Sequence, residues 1–325
     1  MDEVKLVESV RDIRKKIEDA LARDIVGQKD VVEQLLIALF AKGHVLIVGV
    51  PGLAKTMIVK ALCNTMSLQF GRIQFTPDLM PSDITGTDIL SESKEGLREF
   101  RFLKGPLFCN LLLADELNRT PPKTQAALLQ AMQEGAVTAG GRTFELPRPF
   151  MVFATQNPIE QGGTYPLPEA QLDRFMFQVH IDYPNLSDEL EIVRQTTVEV
   201  KEAVKSVVSI KEVIDIQNIV PKVPCADYII EGAVKLTRMT RPGKDSPDFV
   251  NESVRWGAGP RAARMLIYAA KARAVLLGRY AVDFEDVVAL SKGVLRHRII
   301  LNFDASSKGI TPDAIVEKLV AKARP

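Results

Sequence analysis

The chain has 325 residues, of which 46% are hydrophobic and 26% are charged, and its formal net charge is +1. The length predicts about two domains of ordinary globular composition, and the balanced charge gives no electrostatic argument for a nucleic-acid or membrane partner. Three cysteines and three histidines are scattered along the chain, which argues against a zinc site or a disulfide framework. Neither a signal-peptide core nor an apolar run of about 18 residues is found, so we expect a cytoplasmic protein without membrane insertion.

Two amphipathic helices open the predicted order of elements. Apolar residues recur with a helical period over residues 4–22, and a second helix runs from Lys29 to Ala41, where we expect Gly43 to be the C-cap. An apolar run over residues 44–48 then predicts a strand, and Met57 to Met66 predicts the helix that follows it.

Between that strand and that helix lies the segment Gly49-Val50-Pro51-Gly52-Leu53-Ala54-Lys55-Thr56. A strand, a glycine-bearing loop, Lys-Thr and a helix form the context of a phosphate-binding loop, with Lys55 on the β- and γ-phosphates and Thr56 on Mg²⁺. Glycine usually precedes the lysine, and Ala54 is tolerated there if its φ is negative. The alternative is an ordinary strand-loop-helix corner with a solvated lysine.

A long polar segment follows a short strand predicted over residues 72–75. Residues 76–107 are rich in proline and glycine, and residues 88–90 and 100–102 are candidates for a hairpin that turns near residues 94–96. A loop region of this length inside a domain is usually functional.

Two carboxylates follow the apolar run at residues 111–114. The run predicts a strand buried on both faces of a parallel sheet, and ligands bind at the carboxyl edge of such sheets. We therefore expect Asp115 to hold Mg²⁺ through water and Glu116 to act as the general base on a water that attacks the γ-phosphate. The alternative is a strand end with acidic turn residues.

The rest of the chain divides into strands and then helices. Thr120 is expected to cap a helix that runs through Met132 and stops at Gly135, and a hairpin with a Gly-Gly turn follows. Strands at residues 150–154 and 177–181 complete an α/β parallel sheet. The remaining helices are predicted at Ser187 to Val200, Ile210 to Asn218, Ala226 to Met239, Arg261 to Leu277, Phe284 to Val294 and Pro312 to Ala323.

Three further polar residues are candidates for the site. Asn157 follows a strand and can orient the attacking water, or it is a turn residue before a proline. Arg174 can act as a finger on a neighbouring subunit, or it pairs with its own neighbour Asp173. Arg261 can fold back onto the phosphates from the second domain, or it is a solvated arginine, although a helix N-terminus disfavours a cation.

The ordered set of motifs resembles the MoxR family of AAA+ ATPases. The resemblance rests on the loop at residues 49–56, on Asp115-Glu116-Leu117-Asn118-Arg119-Thr120-Pro121-Pro122, and on Ala154-Thr155-Gln156-Asn157-Pro158. It implies an α/β fold, with a parallel-sheet AAA+ P-loop core at residues 1–184 and a smaller all-helical lid domain at residues 185–325. Residues 76–107 resemble the helix-2 insert and residues 137–146 the pre-sensor hairpin, both of which would face a ring pore or a partner.

The resemblance also implies residue roles. Those on the nucleotide are an adenine pocket lined by Val26, Gly27 and Gln28 with His44 nearby, and nucleotide contacts from Pro51, Gly52, Leu53, Ala54, Lys55, Thr56 and Met57. Thr56 and Asp115 would serve the metal and Glu116 would be the catalytic base. Asn157 would be sensor 1, Arg174 the finger in a neighbour's site, and Arg261 a sensor 2 acting on its own subunit's nucleotide. Arg119 would contact a neighbouring subunit or form a salt bridge.

The implied function is Mg²⁺-dependent ATP hydrolysis by a homo-oligomeric ring, expected to be a hexamer, with a chaperone-like role in which it remodels, assembles or activates partner complexes. ATP and Mg²⁺ are the implied cofactors, and a separate chain with a von Willebrand factor A domain is the implied partner. One alternative is the ATPase subunit of a metal chelatase or a nucleic-acid motor. The second domain carries 22 basic and 18 acidic residues, a surplus of only +4, which makes nucleic acid an unfavoured partner. Another alternative is a nucleotide-gated scaffold.

Overall fold

A computed structural model describes residues 3–92, 98–160, 162–197 and 205–323. The strands are β1 (Val45–Gly49), β2 (Phe70–Gln74), β3 (Gly86–Glu92), β4 (Arg98–Lys104), β5 (Leu111–Asp115), β6 (Ala136–Ala139), β7 (Arg142–Glu145), β8 (Met151–Gln156), β9 (Phe177–Ile181), β10 (Val254–Trp256) and β11 (Ile300–Leu301). The helices are α1 (Glu3–Leu21), α2 (Lys29–Phe40), α3 (Lys55–Thr65), α4 (Pro81–Thr85), α5 (Pro122–Glu134), α6 (Glu169–Leu172), α7 (Leu186–Thr196), α8 (Ile210–Ile219), α9 (Asp227–Met239), α10 (Asp248–Ser253), α11 (Pro260–Leu276), α12 (Phe284–Leu295), α13 (Phe303–Ser307) and α14 (Pro312–Ala323). Short 3₁₀ turns lie at Leu117–Arg119, Val220–Lys222 and Arg296–Arg298.

A five-stranded parallel sheet organises the first half of the chain. Its strand order is β2-β5-β8-β1-β9, so the strand before the phosphate-loop segment and the strand before the two carboxylates are separated by β8 alone. Strands β5 and β8 are almost continuously apolar and buried, as expected for strands covered on both faces. All five carboxyl ends meet at one edge, which brings the loops after β1, β5 and β8 together.

Alternation along the central strands divides the core between the two faces of the sheet. Leu111 and Leu113 pack on the face covered by α1, α2 and α3, whereas Leu112 and Ala114 pack on the opposite face against α5. This follows from the two-residue period of a strand. The predicted parallel α/β fold is confirmed.

Two hairpins project from the second face. Strands β3 and β4 pair in antiparallel register with Leu90 opposite Phe100, although the predicted turn near residues 94–96 lies outside the described residues. Strands β6 and β7 are joined by the predicted two-residue turn, with Gly140 and Gly141 both at positive φ, 56° and 72°. That geometry is the type I′ turn that matches strand twist.

The second half of the described chain is helical, with one addition. Strands β10 and β11 form a small antiparallel pair, and α10 and α13 are short helices beside it that the sequence pattern does not predict. Helices α11 and α12 pack on each other and reach the sheet domain at α1, α2 and β9. The predicted extension of α7 to Val200 ends outside the described residues. Among the helices that the structure describes, none has the length and apolarity needed to cross a bilayer.

Two predicted helix caps are wrong. Helix α2 ends at Phe40, and the left-handed residue after it is Lys42 at φ 55°, while Gly43 donates its N–H to Ala38. Gly43 is a glycine because a Cβ there would lie 2.6 Å from the sulfur of Met176. Helix α5 is capped at Pro121, and the buried Thr120 hydroxyl makes no hydrogen bond with any described residue.

The cysteines are free thiols. Cys63 and Cys109 are buried, and burial raises the pKa of each to about 12, so both stay protonated and unreactive near neutral pH. Cys225 is only partly buried.

Candidate functional site

The phosphate-loop segment makes a sharp turn from β1 into α3. Gly52 has φ 85°, and Ala54 is itself left-handed at φ 53° and ψ 21°. The first turn of α3 has no side-chain cap and contains no acidic residue, so no side chain of that turn competes with an anion for its N–H groups. This arrangement can bind an anion through backbone N–H groups and the helix dipole. The condition that Ala54 keeps a negative φ is not met.

Lys55 begins α3 and is half-buried. Its ammonium donates to the Gly49 carbonyl at 2.5 Å, which holds it over the loop. Desolvation lowers the pKa of Lys55, while the negative charges of Asp115, Glu116 and Glu160 act in the opposite direction. The lysine and these carboxylates therefore share one electrostatic environment, as the sheet order predicts.

Asp115 ends β5, and both of its carboxylate oxygens are engaged. The Thr155 hydroxyl donates to Oδ1 at 2.6 Å, and the Arg72 guanidinium lies 2.7 Å from Oδ2. Arg72 is in β2, whose register places Gln74 beside Asp115. The carboxylate is nearly buried, whereas the Arg72 side chain is 46% exposed.

Glu116 adopts a left-handed conformation, φ 57°, which is unusual for a side chain of this size. Its N–H donates to the hydroxyl of Thr155 at 2.9 Å, so one threonine holds both this backbone and Asp115. Its carboxylate accepts from Arg119 at 3.0 Å and from Gln74 at 3.2 Å. Strained residues of this kind cluster at functional sites.

Arg119 pairs within its own subunit. It reaches Glu116 at 3.0 Å and Glu160 at 3.6 Å, and its hydrogen bond to Glu116 raises its pKa. Of the two alternatives for this residue, the structure shows the salt bridge.

Asn157 follows β8 and is buried. Its Oδ1 accepts the Ile159 N–H at 3.1 Å, the geometry of a turn residue, while its Nδ2 is buried without a partner among the described residues. A buried, unpaired N–H donor is costly unless something binds it. Both interpretations of Asn157 therefore have a structural basis. Its Oδ1 acts as that of a turn residue, and its unpaired Nδ2 is available to orient a water.

The donor set at this edge fits a magnesium nucleotide. Thr56 and Asp115 offer the oxygen ligands that Mg²⁺ prefers, the uncapped turn of α3 offers N–H groups for phosphate, and Asn157 offers an unpaired amide donor.

The residues expected around adenine lie between α1 and α2. Val26, Gly27 and Gln28 form this turn, with Gln28 at the N-terminus of α2 and Gly27 at φ 77°. A Cβ on Gly27 would lie 2.3 Å from the Asp188 carboxylate at the start of α7, so only glycine fits this approach. Met57 is 44% exposed at the start of α3.

The expectation that His44 lies near adenine is wrong. His44 precedes β1, at the opposite end of that strand from Lys55, and β1 spans about 16 Å at 3.3 Å per residue. Its Nδ1 accepts the Val152 N–H at 3.0 Å and its Nε2 donates to the Met132 carbonyl at 3.1 Å. Desolvation lowers the His44 pKa to about 4, so the ring is a neutral link between strand β8 and helix α5.

Arg174 and Arg261 lie at that same amino edge of the sheet. Both line a cavity of about 370 Å³, together with His44, Arg264 and Tyr268. Arg174 donates to the Leu129 carbonyl at 2.7 Å, and Arg261 pairs with Asp173 at 3.0 Å. The alternative for Arg174, a pair with its neighbour Asp173, is not formed, because Asp173 pairs with Arg261 and Arg298 instead.

Arg261 was expected to act on the nucleotide of its own subunit, and its position at the amino edge contradicts that role. The lid packs on the amino end of β9, where Arg298 binds both Asp173 and Phe175, and this contact holds the start of α11 away from the subunit's own loop. A whole strand length separates Arg261 from Lys55, more than an arginine side chain extends.

Sequence reasoning missed Arg72, Thr155 and Gln74. Arg72 and Gln74 are exposed polar residues on either side of the buried Ile73 in strand β2. Thr155 is a polar residue inside the largely apolar strand β8. Each breaks the pattern of its strand near the carboxyl edge, which is the signal that identifies them.

Comparison with known proteins shows two family matches. Residues 44–177 match the model described as the ATPase family associated with various cellular activities (AAA), and residues 248–319 match the model of the AAA lid domain.

Relatives match over nearly the whole chain. It is 43% identical to Chaperone MoxR1 of Mycobacterium tuberculosis, covering 92% of this chain and 78% of that protein. It is 29% identical to Protein MoxR of Methylorubrum extorquens, covering 94% of this chain and 93% of that protein. The crystal structure of a proposed ATPase from Cytophaga hutchinsonii superimposes with a TM-score of 0.91 at 42% identity, covering 98% of this chain and 96% of that one.

Proposed function

Because the chain belongs to the MoxR family of AAA+ ATPases, we propose that it hydrolyses ATP with Mg²⁺ in a ring of identical subunits and uses the energy to remodel partner proteins. The observation that carries the proposal is the shared environment of Lys55, Asp115 and Glu116 at the carboxyl edge of one parallel sheet. We place the core at residues 1–184 and the lid at residues 185–325.

The proposed roles follow from the chemistry of each side chain. Lys55 and the α3 N-terminus hold the phosphates, and Thr56 with Asp115 holds the metal. Mg²⁺ bound there neutralises phosphate charge. Glu116 takes the proton from the attacking water, and Asn157 orients that water through its unpaired amide.

Two arginines, Arg174 and Arg261, are candidates to act on the site of a neighbouring subunit. Since both line one cavity a strand length away from their own Lys55, we propose that both act on the nucleotide of the neighbouring subunit. This replaces the cis role first expected for Arg261. Arginines of this kind stabilise developing charge on the phosphoryl group, and their loss lowers the rate by roughly 10³–10⁵.

We propose a chaperone-like role in which the protein remodels a partner complex, and the relative from Mycobacterium tuberculosis is itself named a chaperone. We propose a hexameric ring and a separate partner chain with a von Willebrand factor A domain. No observation favours the chelatase, nucleic-acid motor or scaffold alternatives over this one.

Substitution of the proposed base tests the function. Glu116→Gln keeps the shape of the side chain but cannot accept a proton, so ATP binding should remain while hydrolysis falls by at least about 10²-fold. Steady-state phosphate release and binding of a fluorescent ATP analogue measure the two quantities. Glu145→Gln on the exposed hairpin strand β7 is the matched control. Hydrolysis by Glu116→Gln at the wild-type rate would contradict the assignment.

A further inference from the structure

Arg72 is the one basic group within hydrogen-bonding distance of the proposed metal carboxylate in the part of the chain that the structure describes. It lies 2.7 Å from Asp115 Oδ2, and the same nitrogen lies 2.9 Å from the Gln74 amide oxygen, which fixes its direction. Since Thr155 already donates to Oδ1, the carboxylate has no oxygen without a partner. A cation that takes Oδ2 of Asp115 as its ligand therefore competes with Arg72 for that oxygen.

We propose that Arg72 is the resident counter-ion of Asp115, that it stands in for the divalent cation when nucleotide binds without metal, and that it gives way when metal and nucleotide bind together. This inference rests on the proposed function, because it requires Asp115 to face the bound nucleotide. It assigns Arg72 as a positioning residue, acting through Asp115 rather than on the reacting atoms.

The charge balance of the cluster supports this role. Three carboxylates, Asp115, Glu116 and Glu160, influence Lys55, and three cations accompany them, namely Lys55, Arg72 and Arg119. The cluster is therefore neutral before any ligand binds. Removal of Arg72 leaves one excess negative charge on a nearly buried carboxylate beside the site for a polyanion. Screening is weak at such a position, so this carboxylate repels the phosphates.

Two opposite consequences follow for nucleotide binding. Without metal, ATP depends on Arg72 to offset Asp115, so loss of the arginine weakens binding. With metal, the cation itself offsets Asp115, and loss of the arginine removes a competitor for Oδ2. The ratio of the two affinities is thus the quantity that Arg72 controls, and a merely structural role would move both affinities in the same direction.

The experiment compares wild type with Arg72→Gln, which keeps hydrogen-bonding groups but loses the charge. Dissociation constants of a fluorescent ATP analogue are measured with EDTA and with excess MgCl₂. We expect the dissociation constant in EDTA to rise about tenfold, because the unpaired Asp115 carboxylate then repels the nearby phosphates, and the constant in MgCl₂ to stay unchanged or fall. Arg101→Gln, an exposed arginine on β4, is the matched control and should change neither value.

Two more variants separate charge from folding. Arg72→Lys retains the positive charge, so its dissociation constant in EDTA should lie within about threefold of the wild-type value. In an Asp115→Asn background, Arg72→Gln should leave the EDTA value unchanged, because the charge to be offset is gone.

The outcomes are distinct for the two proposals. An unchanged affinity ratio in Arg72→Gln, or an equal effect of that substitution in the Asp115→Asn background, overturns the role of Arg72 alone. Failure of the wild-type protein to bind the nucleotide in either buffer overturns the proposed function instead.

Discussion

Two non-glycine residues on the proposed phosphate site have a strained backbone. Ala54 and Glu116 are both left-handed, and left-handed geometry costs a side chain about 1–2 kcal/mol. The Glu116 backbone is held by the hydrogen bond from its N–H to the Thr155 hydroxyl. The methyl side chain of Ala54 cannot form a hydrogen bond, so Ala54 caps α3 through its backbone alone. The strain at Ala54 therefore lies in the backbone of the loop itself.

Relief of that strain is the first prediction. Ala54→Gly should raise the free energy of unfolding by about 0.5–1 kcal/mol, since glycine adopts φ 53° without a Cβ clash but loses more chain entropy on folding. Urea unfolding at equilibrium measures the change. The control is the same substitution at Ala126, an exposed position inside α5, which should lower stability by about 1 kcal/mol. If Ala54→Gly lowered the free energy of unfolding as much as Ala126→Gly does, strain at Ala54 would be excluded.

A second prediction concerns His44 and pH. Its pKa is about 4 in the folded protein and about 6.5 when unfolded, so the unfolded chain binds more protons between these values. The free energy of unfolding should therefore fall as the pH is lowered from about 6.5 to about 4, by up to about 3 kcal/mol. The buried His297 has a lowered pKa and acts with the same sign.

The contribution of His44 can be isolated by substitution. His44→Asn retains an acceptor for the Val152 N–H but does not titrate, so the slope of stability against pH in this range should become shallower. Chemical denaturation at a series of pH values gives both slopes, and identical slopes would show that His44 does not carry the effect.

At the scale of elements, the two projecting hairpins behave as one unit. Phe102 of β4 stacks on Phe144 of β7 with ring centroids 4.1 Å apart, and Arg142 reaches Asp88 across the same junction at 3.0 Å. Beyond this junction Phe100 is 72% exposed. The junction thus fixes the direction in which the exposed end of the β3-β4 hairpin projects.

Loss of the stacked pair should free the first hairpin from the second. Phe144→Ala removes the ring beneath Phe102, and we expect amide hydrogens of β3 and β4 to exchange about tenfold faster while nucleotide affinity is unchanged. Hydrogen exchange with mass spectrometry measures the rates. Thr143→Ala, on the exposed face of β7, is the control, and equal exchange in both variants would mean that the rings do not couple the hairpins.

At the scale of the whole molecule, the proposed site is divided between two edges of one sheet. Lys55, Asp115 and Glu116 lie at the carboxyl edge, whereas Arg174 and Arg261 line a cavity at the amino edge. Because about a strand length separates the two groups within one subunit, the proposed site is completed by a neighbouring subunit that presents its amino edge.

Mixing of inactive variants tests this division. Arg174→Ala retains its own loop and carboxylates, and Lys55→Ala retains its arginines, so each alone should lose about 10³-fold in ATPase rate. A mixture should recover part of the wild-type rate, because interfaces between unlike subunits are complete. The mixture of Arg261→Ala with Lys55→Ala should recover as well. Recovery with Arg174→Ala but not with Arg261→Ala would restore the cis role of Arg261.

The sequence alone was sufficient for the features that depend on local chemistry. The glycine-bearing loop before Lys55, the apolar strand that ends in Asp115 and the Gly-Gly hairpin turn are each set by residue types at fixed spacing, and the structure has the loop, the strand and the turn where they were predicted. The alternation of strands and helices likewise determined the parallel sheet.

Only the tertiary structure decided which of these features face each other. Arg72 meets Asp115 through strand register, His44 is a neutral link at the far end of β1, and Arg261 lies beside Arg174 because Arg298 anchors the lid on the amino end of β9. Such contacts join residues far apart in the chain, and their partners are selected by strand order and lid packing. Local sequence patterns carry no information on either, which is why the sequence did not predict that Arg261 lies at the amino edge of the sheet.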